Sequence, residues 1–355
     1  MTPESRSELN PPTPLGARKA DVLRAVVRDY IRSAEPVGSG TIAGRYRLGV
    51  SSATIRNDMA VLEELGYLVQ PHTSAGRVPT DLGYRFFVDT LPAGLRVPDT
   101  HRRAIAESLG QPYGDVEETL QRTAHLLSRL TRYAAVALAP VLARSRVLRA
   151  ELVPLGAAVL LLVVSDTGRV DRRAVEVAED PEEEAIRRVS ELLARSCSGL
   201  SYEEAAERVT GLARREPTER PLLQAVAGVL RRVAEDPQSE HVFLEGVANI
   251  AGEEAFERRE TVRRLFEALE QRPIVLRLLR EMPPERREVL VRIGSENRLS
   301  AMSEASVVLA PYLAAGRPVG TIAVIGPTRM EYASAITSVR AVARRVTEVV
   351  EALAG

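Results

Sequence analysis

Closely spaced helices near the N-terminus are the feature that most constrains the fold of this chain. Apolar residues recur at helical spacing over residues 17–33, and Pro36 ends that helix because the residue before a proline avoids the helical conformation. A short helix is predicted over residues 39–46, with Ser39 or Thr41 near its cap. A third helix follows after a few residues, and this close succession indicates a helix-turn-helix.

The connection to the third helix is short and contains Gly49, which can adopt the left-handed conformation that a tight turn needs. Ser51 or Ser52 is predicted to cap the third helix, which runs to about Leu65. Three apolar residues of this helix share one face and are predicted to pack in the core: Ile55, Met59 and Leu62. The opposite face is therefore free to contact a partner.

The free face of the third helix has residue types that suit the major groove of DNA. Its N-terminal half is small or hydrogen-bonding, and its two consecutive acids come only at the C-terminal end. The predicted DNA contacts of this helix are Ser51, Ser52, Thr54, Arg56 and Asn57. Arg56 and Asn57 are the best candidates for base readout. Ser52, Thr54 and Asn57 also fit ordinary capping and surface positions, and periodicity alone leaves that alternative open.

A strand, a loop and a returning strand are predicted directly after the third helix. Residues 67–69 favour a strand, residues 71–76 are rich in turn formers, and the chain returns through Arg77. This is the order of a wing, so the loop is predicted to contact phosphate or the minor groove of DNA. The predicted wing contacts are His72, Thr73, Ser74 and Arg77. His72 taken alone also fits an ordinary exposed loop position.

The charge distribution is compatible with a nucleic-acid partner, although the 355-residue chain has a formal net charge of zero. Residues 171–272 contain 23 acidic and 16 basic side chains, a net charge of −7, so the remainder carries +7. Residues 36–57 contain three arginines and no carboxylate. A weakly basic face without acids suffices for a dimer, because both copies contribute to binding DNA.

Length and composition favour a globular protein of two or three domains that acts in the cytoplasm. The sequence has no run of 18 or more apolar residues, which argues against a membrane span. Residues 1–16 contain four prolines and lack the basic start and apolar core of a signal peptide, so they predict a disordered tail. The single cysteine, Cys197, cannot form an internal disulfide, which fits a reducing compartment.

The rest of the chain alternates between strand and helix patterns, beginning with a helix over residues 117–132 and ending with one over residues 332–353. Seven strands are expected to form one sheet: 134–139, 147–152, 157–165, 169–177, 289–293, 306–312 and 319–325. Residues 181–269 are acidic and mostly helical, and are expected to be an insertion into the sheet-forming domain. The apolar stripes of this insertion fit internal core or a dimer surface, and the sequence leaves both open.

The sequence does not indicate an enzyme. It has no glycine-rich phosphate loop after a strand and no Ser/His/Asp set in a supporting context. The four histidines and Cys197 lack the spacing of metal ligands. Gly326 resembles the start of a phosphate loop, but Pro327 has no amide donor, and a strand-to-helix turn is the expected role. No catalytic, metal or cofactor site is therefore predicted.

Several long motifs resemble the heat-inducible transcription repressor HrcA family. Two lie near the N-terminus: SSATIRNDM at residues 51–59 and PHTSAGRVPTDLGYR at residues 71–85. Three lie near the C-terminus: IGSEN at residues 293–297, SVVLAPY at residues 306–312 and GTIAVIGPTRMEY at residues 320–332. The resemblance covers both ends of the chain, while residues 180–260 match only in general character.

This resemblance implies a bacterial repressor of chaperone operons. Members bind, as homodimers, an inverted DNA repeat called CIRCE, under the control of the chaperonin GroEL. The implied fold is α+β and multidomain, with an N-terminal winged helix-turn-helix and a GAF-like α/β domain that carries an inserted, mainly helical dimerising domain. The expected parts are a tail (1–16), the winged helix-turn-helix (17–92), a helical linker (93–132), the GAF-like domain (133–180 and 270–355) and the dimerising domain (181–269).

Two alternatives come from other classes of function. A winged-helix regulator could instead be switched by a small molecule that binds its GAF-like domain. A metabolic enzyme with an attached DNA-binding module would need polar residues that converge on a pocket, and the sequence shows no such cluster.

Overall fold

The computed structural model describes residues 15–73, 75–110, 115–140, 145–156, 158–177, 181–235, 241–252, 259–280 and 289–354. The chain divides into two compact units. The first contains the residues up to Ala93 together with Thr328–Glu331, and the second contains the remainder. Most of the predicted tail, residues 1–14, lies outside the described residues.

The first unit contains four helices and a two-stranded antiparallel ribbon in its described part. Its elements are α1 (Ala17–Ser33), α2 (Ser39–Arg45), α3 (Ser52–Glu64), β1 (Leu68–Val69), β2 (Val78–Pro79) and α4 (Asp81–Asp89). Gly49, in the turn between α2 and α3, has a φ of 71°, as predicted. Ser39 is the first residue of α2 and so lies near its cap, as predicted, but the N-cap itself is Gly38 and no side chain caps the helix.

The core of the first unit is formed where the apolar stripes of its helices meet. Its fully buried side chains include Val22, Leu23, Val26, Ile42, Ile55, Met59, Leu62 and Leu68. The spacing of Ile55, Met59 and Leu62 predicted that they share the buried face of α3, and all three are buried. The opposite face of α3 therefore points away from this core.

The second unit combines nine helices and eight strands among its described residues. Its helices are α5 (Asp99–Ser108), α6 (Val116–Thr131), α7 (Glu183–Ser196), α8 (Tyr202–Arg215), α9 (Arg220–Glu235), α10 (Val247–Gly252), α11 (Arg259–Glu270), α12 (Arg272–Arg280) and α13 (Tyr332–Ala354). Its strands are β3 (Ala134–Leu138), β4 (Val147–Leu155), β5 (Ala158–Ser165), β6 (Val170–Val175), β7 (Val242–Glu245), β8 (Leu290–Ile293), β9 (Ala305–Ala314) and β10 (Arg317–Pro327).

These strands form two sheets, so the expectation of a single sheet is wrong. A five-stranded sheet has the order β7-β3-β10-β9-β8, and a separate three-stranded sheet has the order β4-β5-β6. All pairings are antiparallel. Side-chain alternation along a strand shows which residues share a face but not which strand lies alongside, because pairing depends on distant segments.

The three-stranded sheet packs one face against α7, α8 and α9. The shared core contains inward residues of the strands, such as Leu152, Leu161 and Val163, together with apolar side chains of the helices. β5 is apolar throughout, which predicted a strand covered on both sides. Within the described residues, its inward side chains are buried and alternate with outward ones that are only partly covered.

The five-stranded sheet is covered on both faces. Ala323 and Ile325 of β10 face a core that includes side chains of α11 and α12. The alternate residues Ile322 and Val324 are also fully buried, on the face where α13 and α6 pack. A sheet buried on both sides accounts for the continuous apolar character of β9 and β10.

The C-terminal motifs have structural roles in and beside this sheet. Tyr312 on β9 donates its hydroxyl hydrogen to the Leu138 carbonyl oxygen at 2.7 Å. Gly320 on β10 lies beside Tyr312, and a Cβ there would be 2.2 Å from the Tyr312 hydroxyl oxygen. The Asn297 amide donates to the carbonyl oxygens of Gly294 at 3.0 Å and Ala305 at 2.8 Å, which shapes the loop before β9.

Candidate nucleic-acid interface

The N-terminus of α3 is ordered by hydroxyl groups. Ser51 is its N-cap, and its hydroxyl oxygen accepts a hydrogen bond from the Thr54 amide at 3.2 Å. The hydroxyls of Ser51 and Thr54 lie 3.0 Å apart, and those of Ser52 and Ser39 lie 3.1 Å apart. The second contact joins the first turn of α3 to the first turn of α2. The predicted contact residues Ser51, Ser52 and Thr54 therefore lie together in the first turn of α3, each with a hydroxyl hydrogen bond.

Arg56 and Asn57 project from the first half of α3 into solvent. Neither side chain has a hydrogen-bond or ion-pair partner among the described residues. Arg47, in the turn before α3, is exposed in the same way. Free guanidinium and amide groups on an outward helix face can hydrogen-bond to base edges or phosphates without first breaking a protein contact.

The carboxylate next to this face is buried and paired. Asp58 is 3% exposed and accepts hydrogen bonds from Arg18 of α1, from Nε at 2.7 Å and from Nη2 at 3.1 Å. The hydrogen bond to Asp58 raises the pKa of the Arg18 guanidinium. The negative charge that follows Asn57 in the sequence is therefore turned inward and balanced.

A second pair of the same kind joins α1 to α2. Asp29 is 2% exposed, and Arg45 donates from Nη1 to its Oδ1 at 2.7 Å. This hydrogen bond raises the pKa of Arg45. Of the three arginines in the acid-free stretch, Arg45 is therefore held by a protein carboxylate, while Arg47 and Arg56 have no such partner among the described residues.

The loop between β1 and β2 is held in shape by Gln70. Its side-chain amide donates to the carbonyl oxygens of Thr73 at 3.1 Å and Ala75 at 2.9 Å. His72 and Thr73 are exposed at the tip of this loop. Ser74, the remaining predicted loop contact, lies outside the described residues.

The returning strand is locked to the segment before α2. Backbone hydrogen bonds of 2.9 Å run in both directions between Val37 and Arg77. Gly76 allows this approach, because a Cβ at that position would be 2.5 Å from the Val37 carbonyl. A glycine is therefore needed at position 76 because the backbone of Val37 occupies the space of a side chain.

Arg77 has a different position from the one expected of a phosphate contact. Its Nε donates to Oε2 of Glu63 at 2.8 Å, and its side chain is only 17% exposed. This ion pair ties the β1–β2 loop to the C-terminal half of α3. It also neutralises Glu63, one of the two acids at that end of the helix.

The start of α4 completes the support under the ribbon. Thr80 is the N-cap, and its hydroxyl both accepts from the Gly83 amide at 3.2 Å and donates to the Gly66 carbonyl at 2.6 Å. A Cβ at Gly83 would be 2.3 Å from the Tyr67 carbonyl oxygen. The second motif, residues 71–85, therefore combines exposed loop residues with glycines and a cap that position them.

Sequence reasoning missed Gln70, Arg18 and Asp58 as parts of this site. The role of Gln70 could have been predicted, because a side-chain amide just before a loop of turn formers can hydrogen-bond to the loop backbone. The pairing of Arg18 with Asp58 spans 40 residues and had no local signal.

The described residues contain neither a candidate metal site nor a reactive cysteine. They contain no group of three or more His, Cys, Asp or Glu side chains placed to hold a metal ion. Burial raises the pKa of the Cys197 thiol to about 11, so this cysteine is a protonated core residue at neutral pH. None of the helices in the described ranges has both the length and the apolar character to cross a membrane.

A small helical unit with exposed arginine and amide groups on one helix face, joined in one chain to a larger α/β unit, is an organisation that DNA-binding transcription regulators use. Comparison with known proteins identifies the family. A family model described as HrcA protein C terminal domain matches residues 117–336.

Relatives named heat-inducible transcription repressor HrcA match almost end to end. The relative from Clavibacter michiganensis is 41% identical over 336 residues, covering 94% of this chain and 98% of the relative. Those from Beutenbergia cavernae and Thermobifida fusca are each 42% identical, covering 92% and 94% of this chain and 97% of each relative. The chain therefore belongs to the HrcA family of heat-inducible transcription repressors, a family of regulators and not of enzymes.

One solved structure, described as a hypothetical protein, resembles this chain over most of its length. Its TM-score is 0.66 at 24% identity, and the match covers 96% of this chain and 100% of that chain. At that level of identity the likeness concerns the fold alone.

Proposed function

We propose that this protein represses chaperone operons by binding a CIRCE-type inverted repeat as a homodimer in the cytoplasm, under the control of a GroEL-type chaperonin. The observation that carries the DNA-binding part is the outward face of α3. There Arg56 and Asn57 are exposed and have no partner within the described ranges, while the neighbouring Asp58 is buried against Arg18.

The first unit is proposed to be a winged helix-turn-helix spanning residues 17–92, with the β1–β2 loop as its wing. Arg56 and Asn57 would read bases in the major groove. Ser51, Ser52 and Thr54, at the N-terminus of the same helix, would contact phosphate, where the helix dipole also favours negative charge. His72, Thr73 and Ser74 would contact the DNA backbone through the wing.

Arg77 is proposed to position the wing rather than to bind phosphate. Its guanidinium is bound to Glu63 at 2.8 Å and mostly buried, so a phosphate contact would require this pair to break. Its effect on DNA binding would therefore pass through the orientation of the β1–β2 loop.

The second unit is proposed to contain a GAF-like domain with an inserted dimerising domain, reached through a helical linker. The five-stranded sheet with helices on both faces supports the GAF-like part. The sheet β4-β5-β6 packs on α7–α9 and not on the five-stranded sheet, so we place the insertion between β3 and β7, close to residues 141–240. It then begins earlier than the sequence-based limit of residue 181.

Control by a partner protein is favoured over control by a small ligand. One face of the five-stranded sheet is filled by an apolar core that joins Val136 and Ile325 of the sheet to Leu265 of α11 and Leu278 of α12. Those side chains occupy the space between sheet and helices where a ligand of a GAF-like domain would be expected.

The DNA-binding proposal is tested by Arg56→Ala in a gel shift at fixed salt, using a CIRCE duplex and a scrambled duplex. We expect a loss of about 1–3 kcal/mol on CIRCE and a reduced preference for it over the scrambled sequence. Arg214→Ala, which removes an exposed arginine at the end of α8, is the matched control and should bind as the wild type does. Unchanged CIRCE binding by Arg56→Ala would refute the assignment of Arg56.

A further inference from the structure

The segment between β3 and β7 has an apolar core of its own. Side chains of β4, β5, β6 and α7–α9 pack on one another, while the five-stranded sheet packs on helices outside this segment. Among the described residues, Pro140 is the last one before the segment leaves the sheet, and His241 is the first one on its return. A segment with a separate core that is joined at two points can pivot about them unless further contacts hold it.

The turn between β5 and β6 supplies such a contact, because it packs against two helices outside the segment. Gly168 in this turn has a φ of 74°, and a Cβ there would lie 3.1 Å from Cβ of Leu353 in α13 and 3.2 Å from Cγ2 of Val116 in α6. The turn is held in shape by Ser165, whose hydroxyl donates to the Arg169 carbonyl oxygen at 3.1 Å. The position of Arg169 is therefore fixed by the turn that carries it.

Arg169 is buried beside both points where the chain crosses between sheet and insertion. Its side chain is 3% exposed, its Nη1 donates to the Pro140 carbonyl oxygen at 3.0 Å, and its Nε lies 2.8 Å from Oε1 of Glu117 in α6. The same carboxylate oxygen lies 3.0 Å from Nδ1 of His241. Arg169 thus contacts the outgoing junction directly and the returning junction through Glu117.

A buried ion pair is better suited to fixing a geometry than to adding stability. The loss of hydration of the two charges offsets much of their attraction, and apolar side chains of similar volume often stabilise a protein equally well. The planar guanidinium of Arg169 can, however, bind partners in fixed directions. Its location between two separate cores points to a role in setting their relative orientation.

We propose that Glu117 and Arg169 form a clamp that fixes the direction in which the insertion leaves the five-stranded sheet. In chain order the outgoing junction lies between the first unit and the insertion. In a dimer that pairs its copies through the insertion, the clamp then helps to hold the two α3 helices at the spacing that an inverted repeat requires. This inference rests on the proposed function and names two positioning residues for it.

Binding to a full inverted repeat and to a single half-site distinguishes the clamp from the DNA contacts. Glu117→Gln keeps the shape of the side chain but removes the charge that holds Arg169. We expect affinity for a CIRCE duplex to fall about 10-fold, because the two copies no longer match both half-sites, while affinity for a duplex with one half-site stays within about twofold. Fluorescence anisotropy at fixed salt measures both affinities.

Glu118→Gln is the matched control for this change. Glu118 follows Glu117 in α6, is exposed, and forms an ion pair with Arg122 at 2.8 Å, so its replacement should leave both affinities unchanged. Equal losses of Glu117→Gln on the two duplexes, or an unchanged affinity for the full repeat, would overturn the inference. A wild type that binds the full repeat no better than one half-site would refute the proposed homodimer as well.

A double variant keeps the test independent of the stability of Glu117→Gln. Combining Glu117→Gln with Arg169→Met leaves no charge buried without a partner, so the urea unfolding midpoint should stay close to that of the wild type. Its affinity for the full repeat should still fall about 10-fold, since the clamp is absent. Its dimer dissociation constant, measured by sedimentation velocity, should be unchanged, because the pair lies within one chain. A weakened dimer, or a wild-type preference for the full repeat, would overturn the inference.

Discussion

At the scale of single residues, the DNA-facing surface depends on carboxylates that point inward. Asp29 and Asp58 are almost fully buried, and each is held by an arginine from another helix. A carboxylate exposed beside Asn57 would repel phosphate, whereas the buried, paired one joins α3 to α1. The same two ion pairs thus hold the helices together and keep negative charge away from the free face.

Gln70 is the residue whose role in the proposed wing is most directly testable. Gln70→Met keeps the length of the side chain but removes both hydrogen bonds to the loop carbonyls. We expect CIRCE binding to weaken about 3- to 10-fold, since each hydrogen bond contributes on the order of 1 kcal/mol to the order of the loop. Fluorescence anisotropy with a labelled duplex measures this effect.

A double-mutant cycle with His72→Ala shows whether Gln70 acts through the loop tip. If Gln70 only positions the loop, the two losses should be less than additive, because removing His72 removes part of what Gln70 positions. Fully additive losses, or wild-type binding by Gln70→Met, would contradict this role.

At the scale of elements, the second unit shows how one cross-strand pair can connect three strands. Tyr312 of β9 reaches across Gly320 of β10 to the Leu138 carbonyl of β3. The central strand must lack a side chain at this point because the tyrosine ring occupies that space. Burial raises the pKa of Tyr312 well above its usual value, so the hydroxyl remains a hydrogen-bond donor.

Gly320→Ala is expected to destabilise the second unit by about 1–3 kcal/mol, because the added methyl group overpacks the core against Tyr312. Gly211→Ala makes the same chemical change in the middle of α8, where a Cβ would meet nothing within 4 Å. It should instead stabilise the protein by about 0.5–1 kcal/mol through its helix propensity. Urea unfolding followed by circular dichroism compares the two, and equal effects would argue against the packing explanation.

At the scale of the whole molecule, the proposed function needs two copies of the first unit at a fixed spacing. An inverted repeat presents two half-sites, and a two-fold symmetric dimer presents two α3 helices to match them. The insertion proposed to carry dimerisation lies in the second unit, so the segment proposed to read DNA and the segment proposed to pair the two copies are separate in sequence. A change that alters the second unit can then regulate DNA binding without touching the contact residues.

If a chaperonin controls this protein, DNA-binding activity that is lost on heating should return on cooling only when the chaperonin is present. Protein heated until CIRCE binding is lost, then cooled, should regain several-fold more binding when a GroEL-type chaperonin and ATP are present. Chaperonin already occupied by an unfolded protein is the control and should give little recovery. Full recovery on cooling without chaperonin would refute this mode of control.

Much of the first unit was predictable because its signals are local. The bounds of α1, the left-handed Gly49 and the Ser51 cap all depend on residues within a few positions of each other. The motifs at both ends of the chain are also runs of consecutive residues, so the family could be inferred from them directly. The second unit was less predictable, since the same alternation that located β4, β5 and β6 could not show that they form a sheet of their own.

The sequence by itself determined where most helices and strands lie, which face of α3 is free, and the family to which the chain belongs. Only the tertiary structure decided that Arg77 binds Glu63, that Asp58 is neutralised by Arg18, and that β4, β5 and β6 form a sheet of their own. The physical reason is distance along the chain. Helix caps and periodic faces arise from neighbours in sequence, whereas ion pairs, strand partners and surface exposure depend on segments that folding alone brings together.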